Sequence, residues 1–183
     1  EPAQLAQQRP VQRAQRQQVM LTFNESLSAS AMHDVRHLPG VTYAEPFRAV
    51  PVRLRSGPRW HRLSLMGLNE NPNLYRVLDD HARPIILPHS SGLTISKKLA
   101  EILSVNVGDE VIVEILEGRR ATRMVRITQV FANFTDPGAY MYRNELHHML
   151  NEGEQLSGAF LAVDKDQMDL LYATVKEMPT VAG

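Results

Sequence analysis

The sequence predicts an α+β fold, and three patterns lead to this expectation. Residues 19–23 alternate apolar and polar side chains, as in a half-buried strand, and an apolar helical stripe follows them. Residues 158–163 and 164–178 repeat the order of strand and helix near the other end of the chain. Between these ends lie hairpins and short helices, so the chain begins β-α-β and ends β-α. The first stripe consists of Leu27, Ala31, Val35 and Leu38.

The next segment, residues 41–68, predicts a long hairpin. Residues 41–55 are extended and residues 60–68 return, with the Ser56-Gly57-Pro58 turn between them. Pro46 and Pro51 cannot donate a backbone hydrogen bond, so the first strand is expected to be an edge strand or a bent one.

Residues 92–113 predict a helix, a tight turn and a strand, and the rest of the chain is organised around this unit. The hydroxyl of Ser96 can cap the helix, which places its apolar residues in one sector. Gly108-Asp109 makes the turn, and Val111 and Val113 then alternate with polar residues as in a strand.

The second half of the chain predicts another hairpin and two more helices. The strand that ends near Leu116 turns at Glu117-Gly118, and residues 122–131 run back. Residues 133–142 read as an apolar loop, and residues 143–150 as a short helix. A longer helix over residues 164–178 carries an apolar stripe and ends at a proline. This stripe consists of Met168, Leu171, Tyr172 and Val175.

Composition limits the classes of function. The 183 residues suggest one domain or two small lobes, and 20 basic residues balance 20 acidic ones, which argues against nucleic acid as a partner. There is no cysteine and no apolar run of about 18 residues that would span a membrane. The chain starts without Met, so we expect a fragment of a longer protein. Residues 1–18 are expected to form a stalk or a disordered terminus.

No arrangement of side chains predicts catalysis, a cofactor or a metal site. His33 and His37 have the i, i+4 spacing that can bind one metal ion, but they lie opposite the apolar stripe and lack a third ligand. His147 and His148 are adjacent and cannot point the same way on a helix. The carboxylates of Asp79 and Asp80 also diverge, as neighbouring residues do, so this pair is expected to lie in a solvated loop. We therefore expect no enzyme activity.

Two groups of residues are candidates for partner contact. Phe134, Tyr140, Met141 and Tyr142 flank a Pro-Gly loop, and an exposed apolar patch there would mark a contact surface. Arg119 and Arg120 belong to a local basic strip that could meet lipid headgroups or an acidic partner, or could form a solvated strand face.

Four pieces of the sequence together resemble the extracytoplasmic domain of FtsX-like ABC transporter permeases, the group that includes MacB and LolC. The main piece is Gly92-Leu93-x-x-Ser96-x-x-Leu99-Ala100-x-x-Leu103-x-Val105-x-Val107-Gly108-Asp109-x-Val111-x-Val113. The others are Pro39-Gly40-Val41 with Glu45-Pro46-Phe47-Arg48, then Glu117-Gly118-Arg119-Arg120, then Ser157-Gly158-Ala159-Phe160-Leu161-x-Val163-Asp164. Their order is most similar to that in the second large domain of the ten-span permeases.

The resemblance implies a two-lobed, MacB-like periplasmic fold. A porter-like α/β lobe is expected from residues 19–68 and 155–183, with residues 69–154 inserted as a hairpin-rich distal lobe. Both ends of the chain are expected to leave the porter-like lobe on one side, with Gln18 and Ala182 within that lobe.

The resemblance also implies a role without catalysis, at the periplasmic or extracytoplasmic face of the inner membrane. A cytoplasmic ATP-binding subunit would hydrolyse ATP, and this domain would transmit the motion of the membrane helices. Its other partners would be an envelope protein or lipid cargo, and a second permease copy. The alternative is a free-standing ligand-binding or enzymatic α/β domain in which the helix–turn–strand unit belongs to a small barrel. Apolar segments of about 20 residues on both sides of the chain would favour the first interpretation.

Overall fold

The computed structural model describes residues 16–183 and confirms a mixed α/β fold in which strands dominate. The predicted stalk or disordered terminus lies outside the described residues up to residue 15, and residues 16–18 already belong to the first strand. The strands are β1 (Arg16–Ser28), β2 (Val41–Ser56), β3 (Arg59–Leu68), β4 (Leu93–Ser96), β5 (Glu110–Ile115), β6 (Thr122–Phe131), β7 (Ala139–Tyr142) and β8 (Gln155–Asp164). The helices are α1 (Ala31–Arg36), α2 (Lys97–Leu103), α3 (Arg143–Leu150) and α4 (Met168–Lys176).

Both ends of the described chain build one antiparallel sheet. β8 lies in its middle, with β1 on one side and the first half of β2 on the other. Apolar side chains of this sheet pack with those of α1 and α4 into a terminal cluster. The buried members of the terminal cluster are Leu21, Phe23, Met32, Val35, Leu38, Ala44, Leu156, Ala159, Leu161, Val163, Met168 and Leu171.

The last residues of the chain extend this sheet beyond β1. Val181 forms an antiparallel bridge with Phe23. The backbone N–H of Ala182 donates to the carbonyl of Thr22 at 2.7 Å, and the N–H of Thr22 donates to the carbonyl of Gly183 at the same distance. The two ends of the described chain therefore lie side by side, as the sequence predicts.

The remaining strands close into a six-stranded barrel. The second half of β2 pairs with β3, and the ring continues through β7, β4, β6 and β5 back to β2. Its interior, together with α2 and Leu146 of α3, forms the central cluster. The fully buried members of the central cluster are Val50, Val52, Leu54, Leu65, Leu93, Ile95, Leu99, Val113, Ile127 and Leu146. From the sequence, a barrel is expected only under the alternative interpretation, a free-standing ligand-binding or enzymatic α/β domain.

β2 belongs to both halves of the molecule. The expectation of an edge strand holds for its first half, which pairs only with β8, and is wrong for its second half, which lies between β3 and β5. It pairs with β8 from Val41 to Phe47 and with β3 from Arg48 to Ser56. Over the first stretch it has a paired strand on one side, which leaves room for Pro46 without loss of a ladder hydrogen bond. The division into lobes at residues 68 and 155 stays a prediction. Within β2, Ala44 belongs to the terminal cluster and Val50 to the central cluster, so the two clusters meet along this strand.

Two predicted helices are shorter than expected. β1 continues to Ser28, because Leu27 pairs again with Leu156 after a bulge, so α1 begins only at Ala31. At the other end, Asp164 caps a 3₁₀ turn over Lys165–Gln167, and α4 follows from Met168. The sequence pattern predicts Tyr172 on the apolar stripe of this helix, but in the structure Tyr172 is 56% exposed.

The unit at residues 92–113 has the predicted form with one addition. Ser96 Oγ accepts a hydrogen bond from the N–H of Leu99 at 3.3 Å and caps α2. Gly108 has a φ of +95°, in the region that favours glycine, so this turn suits glycine for a conformational reason. The addition is β4, a short buried strand before the helix.

Candidate functional site

Arg48 is buried where β2 passes from the terminal sheet into the barrel. Its residue exposure is only 3%, and it follows Phe47, whose side chain is also buried. A buried guanidinium is costly unless its charge and its donors are all satisfied. Arg48 therefore requires neighbouring residues that supply negative charge and hydrogen-bond acceptors.

Two carboxylates neutralise Arg48 from two different segments. Arg48 Nε donates to Glu152 Oε1 at 2.8 Å and Nη2 donates to Glu152 Oε2 at 3.1 Å, which is the bidentate geometry that suits a guanidinium. Nη2 also donates to Glu117, at the turn between β5 and β6. Burial alone would lower the pKa of Arg48, but its bonds to these carboxylates outweigh that effect and raise the pKa.

His147 and Ser157 complete this arrangement, which we call the Arg48 cluster (Arg48, Glu117, His147, Glu152 and Ser157). His147 Nδ1 lies 3.0 Å from Glu152 Oε1, while Nε2 has no hydrogen-bond partner among the described residues. A proton on Nδ1 fits this contact, because a carboxylate oxygen accepts a hydrogen bond. Ser157 Oγ accepts from Arg48 Nη1 at 3.1 Å and donates to the carbonyl of Ala49.

The contacts of the Arg48 cluster hold segments of the chain together and do not pair groups for catalysis. The serine hydroxyl is directed to a backbone carbonyl, and the histidine bonds to a carboxylate instead of to the serine, so no nucleophile is paired with a base. The cluster joins β2, β8, the β5–β6 turn and the end of α3. It therefore holds the barrel against the terminal sheet.

An open groove lies beside the cluster. Its volume is about 330 Å³, and its walls include Arg48, Glu117, Arg119, Arg120 and Glu152. Arg119 and Arg120, predicted as partner contacts, are exposed at the β5–β6 turn and lie next to Glu117 in the chain. The structure thus brings these two residues to the rim of the Arg48 cluster, and their role in partner contact stays a prediction.

The predicted apolar loop divides into an exposed part and a buried part. Phe134 is 54% exposed and remains a candidate for partner contact. The expectation of a loop is wrong for Ala139–Tyr142, which form β7 beside β3 and β4. Met141 and Tyr142 are only 4% and 5% exposed, so they are core residues and not a free surface.

Tyr140, the remaining member of that group, lies on the same side of β7 as Tyr142 and is partly buried. Its ring lies 5.9 Å from that of Phe131, centroid to centroid, and burial raises the pKa of its hydroxyl. Its substitution would therefore disturb packing as well as any contact surface.

The residues of the Arg48 cluster were not among the predicted site residues. Glutamate, arginine and histidine are common on surfaces, and their sequence positions do not show that they meet. A signal was nevertheless present, because Arg48 interrupts the apolar run Phe47-x-Ala49-Val50, where a charged side chain requires a partner. Finding Glu117 and Glu152 as those partners requires the tertiary structure.

His33 in α1 and His37, which follows α1, do not join other side chains of the described residues into a set of metal ligands. His33 and His37 are exposed, with ring centroids 4.4 Å apart, and His37 Nδ1 lies 2.6 Å from the carbonyl oxygen of His33. Within residues 16–183, no group of three or more histidine, cysteine or acidic side chains is placed to hold a metal ion.

We expect the Arg48 cluster to make stability depend on pH through Glu152. Burial alone would raise the pKa of Glu152, but hydrogen bonds from Arg48 and His147 outweigh it and hold the pKa below its ordinary value of 4.5. A carboxyl with a lowered folded pKa stabilises the protein above its unfolded pKa, and that contribution is lost as the pH falls through the folded pKa.

The measurement is the free energy of unfolding of wild type and Glu152→Gln at pH values from neutral to below 4.5. The difference between them should be constant near neutral pH and should shrink below the ordinary pKa of glutamate. Titrating groups that do not contact Glu152 cancel, because both proteins carry them in the same surroundings. A difference that stays constant down to acid denaturation would contradict the assigned role of the Glu152 carboxylate.

Solved structures match this chain in fold, whereas the comparisons of its sequence with family models and curated proteins found no match. No protein-family model and no curated protein matches the chain. The extracellular domain of the noncanonic ABC-type transporter YknZ from Gram-positive bacteria is similar in structure, with a TM-score of 0.55 and 16% identity over 91% of this chain and 100% of that one. The periplasmic region of MacB from Actinobacillus actinomycetemcomitans has a TM-score of 0.50 and 11% identity, over 87% of this chain and 80% of that one.

In the part of the chain that the structure describes, no helix has the length and apolar character needed to cross a membrane. The MacB-like fold expected from the sequence resemblance is confirmed by both structural matches, while its division into two lobes stays a prediction. The chain has the fold of the MacB-like extracytoplasmic domains of ABC transporters.

Proposed function

We propose that this chain is the extracytoplasmic, non-catalytic domain of an ABC transporter permease subunit, at the periplasmic face of the inner membrane. The observation that carries the proposal is the fold shared with YknZ and MacB over about nine-tenths of the chain. The pairing of residues 22–24 with residues 180–183 supports it, because both chain ends can then continue toward the same bilayer.

In this role the domain transmits motion rather than performing chemistry. A cytoplasmic ATP-binding subunit hydrolyses ATP, the membrane helices of the permease move, and the terminal sheet moves with them. The Arg48 cluster makes the barrel follow the terminal sheet, because it ties β2 and β8 to the β5–β6 turn. The barrel in turn acts on an envelope protein or a lipid cargo, and a second permease copy completes the transporter. Nucleic acid is not a partner.

Two measurements test this proposal. First, the parent reading frame should encode apolar segments of about 20 residues before Glu1 and after Gly183. Second, a donor dye attached to Met124→Cys should change its energy transfer to acceptor dyes on lipid headgroups when ATP is added to the reconstituted transporter. Met124 suits labelling because it is 67% exposed and the chain has no native cysteine.

A transporter with an inactivated ATPase is the control and should show no change. If the parent frame lacks membrane segments, the permease assignment is wrong. If wild type shows no ATP-dependent change in energy transfer, the assignment can stand but the transmission of motion is wrong.

A further inference from the structure

One exterior face of the barrel carries an unusual set of side chains. The register of β3, β2, β5 and β6 aligns their outward residues in rows across the four strands. Trp60, Arg55, Ile112 and Met124 form one row, and Arg62, Arg53, Glu114 and Thr122 form the next. Glu110 and Arg126 are paired beside the first row. We call these ten residues the arginine face.

The apolar residues at the two ends of the first row are exposed. Trp60 is 54% exposed and Met124 is 67% exposed, although the inward neighbours of both rows are buried in the central cluster. Adjacent strands are about 4.8 Å apart, so these two side chains are separated by roughly 14 Å. Tryptophan, methionine and arginine are the residue types enriched in protein interfaces, and tryptophan and arginine are the most frequent hot spots.

The arginine face carries more positive than negative charges. Glu114 contacts both Arg53 and Arg55, and Glu110 lies 3.7 Å from Arg126. Arg62 is exposed and has no ion pair among the described residues. Four arginines therefore stand against two glutamates in a chain whose formal net charge is zero.

The arginines are also held in place for recognition. The guanidinium carbon of Arg53 lies 5.7 Å from the ring centre of Trp60, in cation–π range. Glu114 fixes Arg53 and Arg55 in the same direction across β2. Arginines that are already ordered lose less entropy when they bind a carboxylate, and their planar donors match it in a bidentate manner.

We propose that the arginine face is a docking site for an acidic protein segment, whose carboxylates meet Arg53, Arg55 and Arg62 and whose apolar side chains cover Trp60 and Met124. The proposal deepens the proposed function and rests on it only in naming that segment as part of the envelope partner. Binding itself is a property of this chain and can be measured without the membrane.

The test begins with selection of random peptides displayed on phage against the purified chain. Peptides that are retained in the absence of the chain are removed in a subtraction step, and the remaining peptides are compared for binding to a variant with Arg53→Glu and Arg62→Glu. The selected peptides should carry an excess of Asp and Glu together with aromatic or large aliphatic residues. Trp60 is the only tryptophan in the chain, so titration of a synthetic, tryptophan-free copy of a selected peptide should change its fluorescence.

Reversal of both charges should weaken binding of that peptide by at least about tenfold, because each reversal places like charges together. Arg62→Glu alone should also weaken it and breaks no ion pair, so a folding defect of the double variant would not mask the result. The matched control is Arg36→Glu with Lys176→Glu, which makes the same charge change at exposed positions of α1 and α4, outside the barrel, and should leave affinity unchanged.

Two outcomes would overturn the proposal. The first is a selection without acidic bias, or equal binding by the wild type and the arginine-face variants. The second is a Trp60 response to vesicles of phosphatidylglycerol but not to the selected peptides, which would assign the face to lipid headgroups. Either outcome can occur in a chain whose parent frame has membrane segments, so failure here is distinguishable from failure of the proposed function.

Discussion

Replacement of Gly158 by alanine should destabilise the protein by about 3 kcal/mol or more, the upper part of the range for overpacked cores. Gly158 lies in β8 between β1 and β2. A β-carbon added there would be 2.0 Å from the carbonyl oxygen of Leu21 and 2.8 Å from Cζ of Phe47. The first clash is with backbone, so no side-chain rotation can relieve it, and β1 would have to move away from β8.

The measurement is the free energy of unfolding in denaturant, or the soluble yield if the variant does not fold. Gly153→Ala is the matched control, because a β-carbon there would meet no atom within 4 Å. Shortening the aromatic neighbour in a Gly158→Ala/Phe47→Leu variant should not restore stability, since the clash with Leu21 remains. Equal stability of the Gly158 and Gly153 variants would show that the three strands are not packed as described.

Replacement of Arg48 by methionine should cost about 3 kcal/mol, because it leaves buried carboxylates without their positive partner. Glu152 would lose two hydrogen bonds, and Ser157 Oγ would lose a donor. The side chain of Glu152 is 19% exposed and that of Glu117 is 39% exposed. Most of the loss should therefore come from Glu152, while water can partly solvate Glu117.

Arg53→Met is the matched control in the same strand. Arg53 pairs with Glu114 at the surface, with 41% of its side chain exposed, so its loss should cost at most about 1 kcal/mol. Adding Glu152→Gln to Arg48→Met should recover part of the lost stability, because it removes the uncompensated charge. Equal losses for the two arginine variants, or no recovery in the double variant, would contradict the role assigned to the Arg48 cluster.

The sequence predicts best where a single element determines its own structure. Ser96 caps α2 as expected because the cap and the N–H of Leu99 lie three residues apart. The β2–β3 and β5–β6 hairpins are confirmed for the same reason, since turn residues and alternation act over short distances. The buried arginine of the Arg48 cluster is visible as a charge in an apolar run, although its partners are not.

Sequence patterns fail where a strand is completed by distant residues. Residues 139–142 read as a loop because four residues beside a Pro-Gly turn carry little periodicity, yet parallel pairing with β3 makes them a buried strand. The extension of β1 to Ser28 likewise depends on Leu156. In both cases the strand is completed by segments that are distant in the sequence, β3 and β4 for β7 and β8 for β1.

The sequence by itself therefore determined the class of fold and most of the elements, because local hydrogen bonds and side-chain periodicity act within a segment. The likeness to MacB-type domains came from the resemblance of four sequence pieces to that family. Only the tertiary structure decided that β2 serves both a sheet and a closed barrel, and that Arg48 meets Glu117 and Glu152. The physical reason is that barrel closure depends on the pairing of β2 with β5, and the compensation of the buried charge on pairs 69 and 104 residues apart. Such distant pairs exist only after the chain has folded.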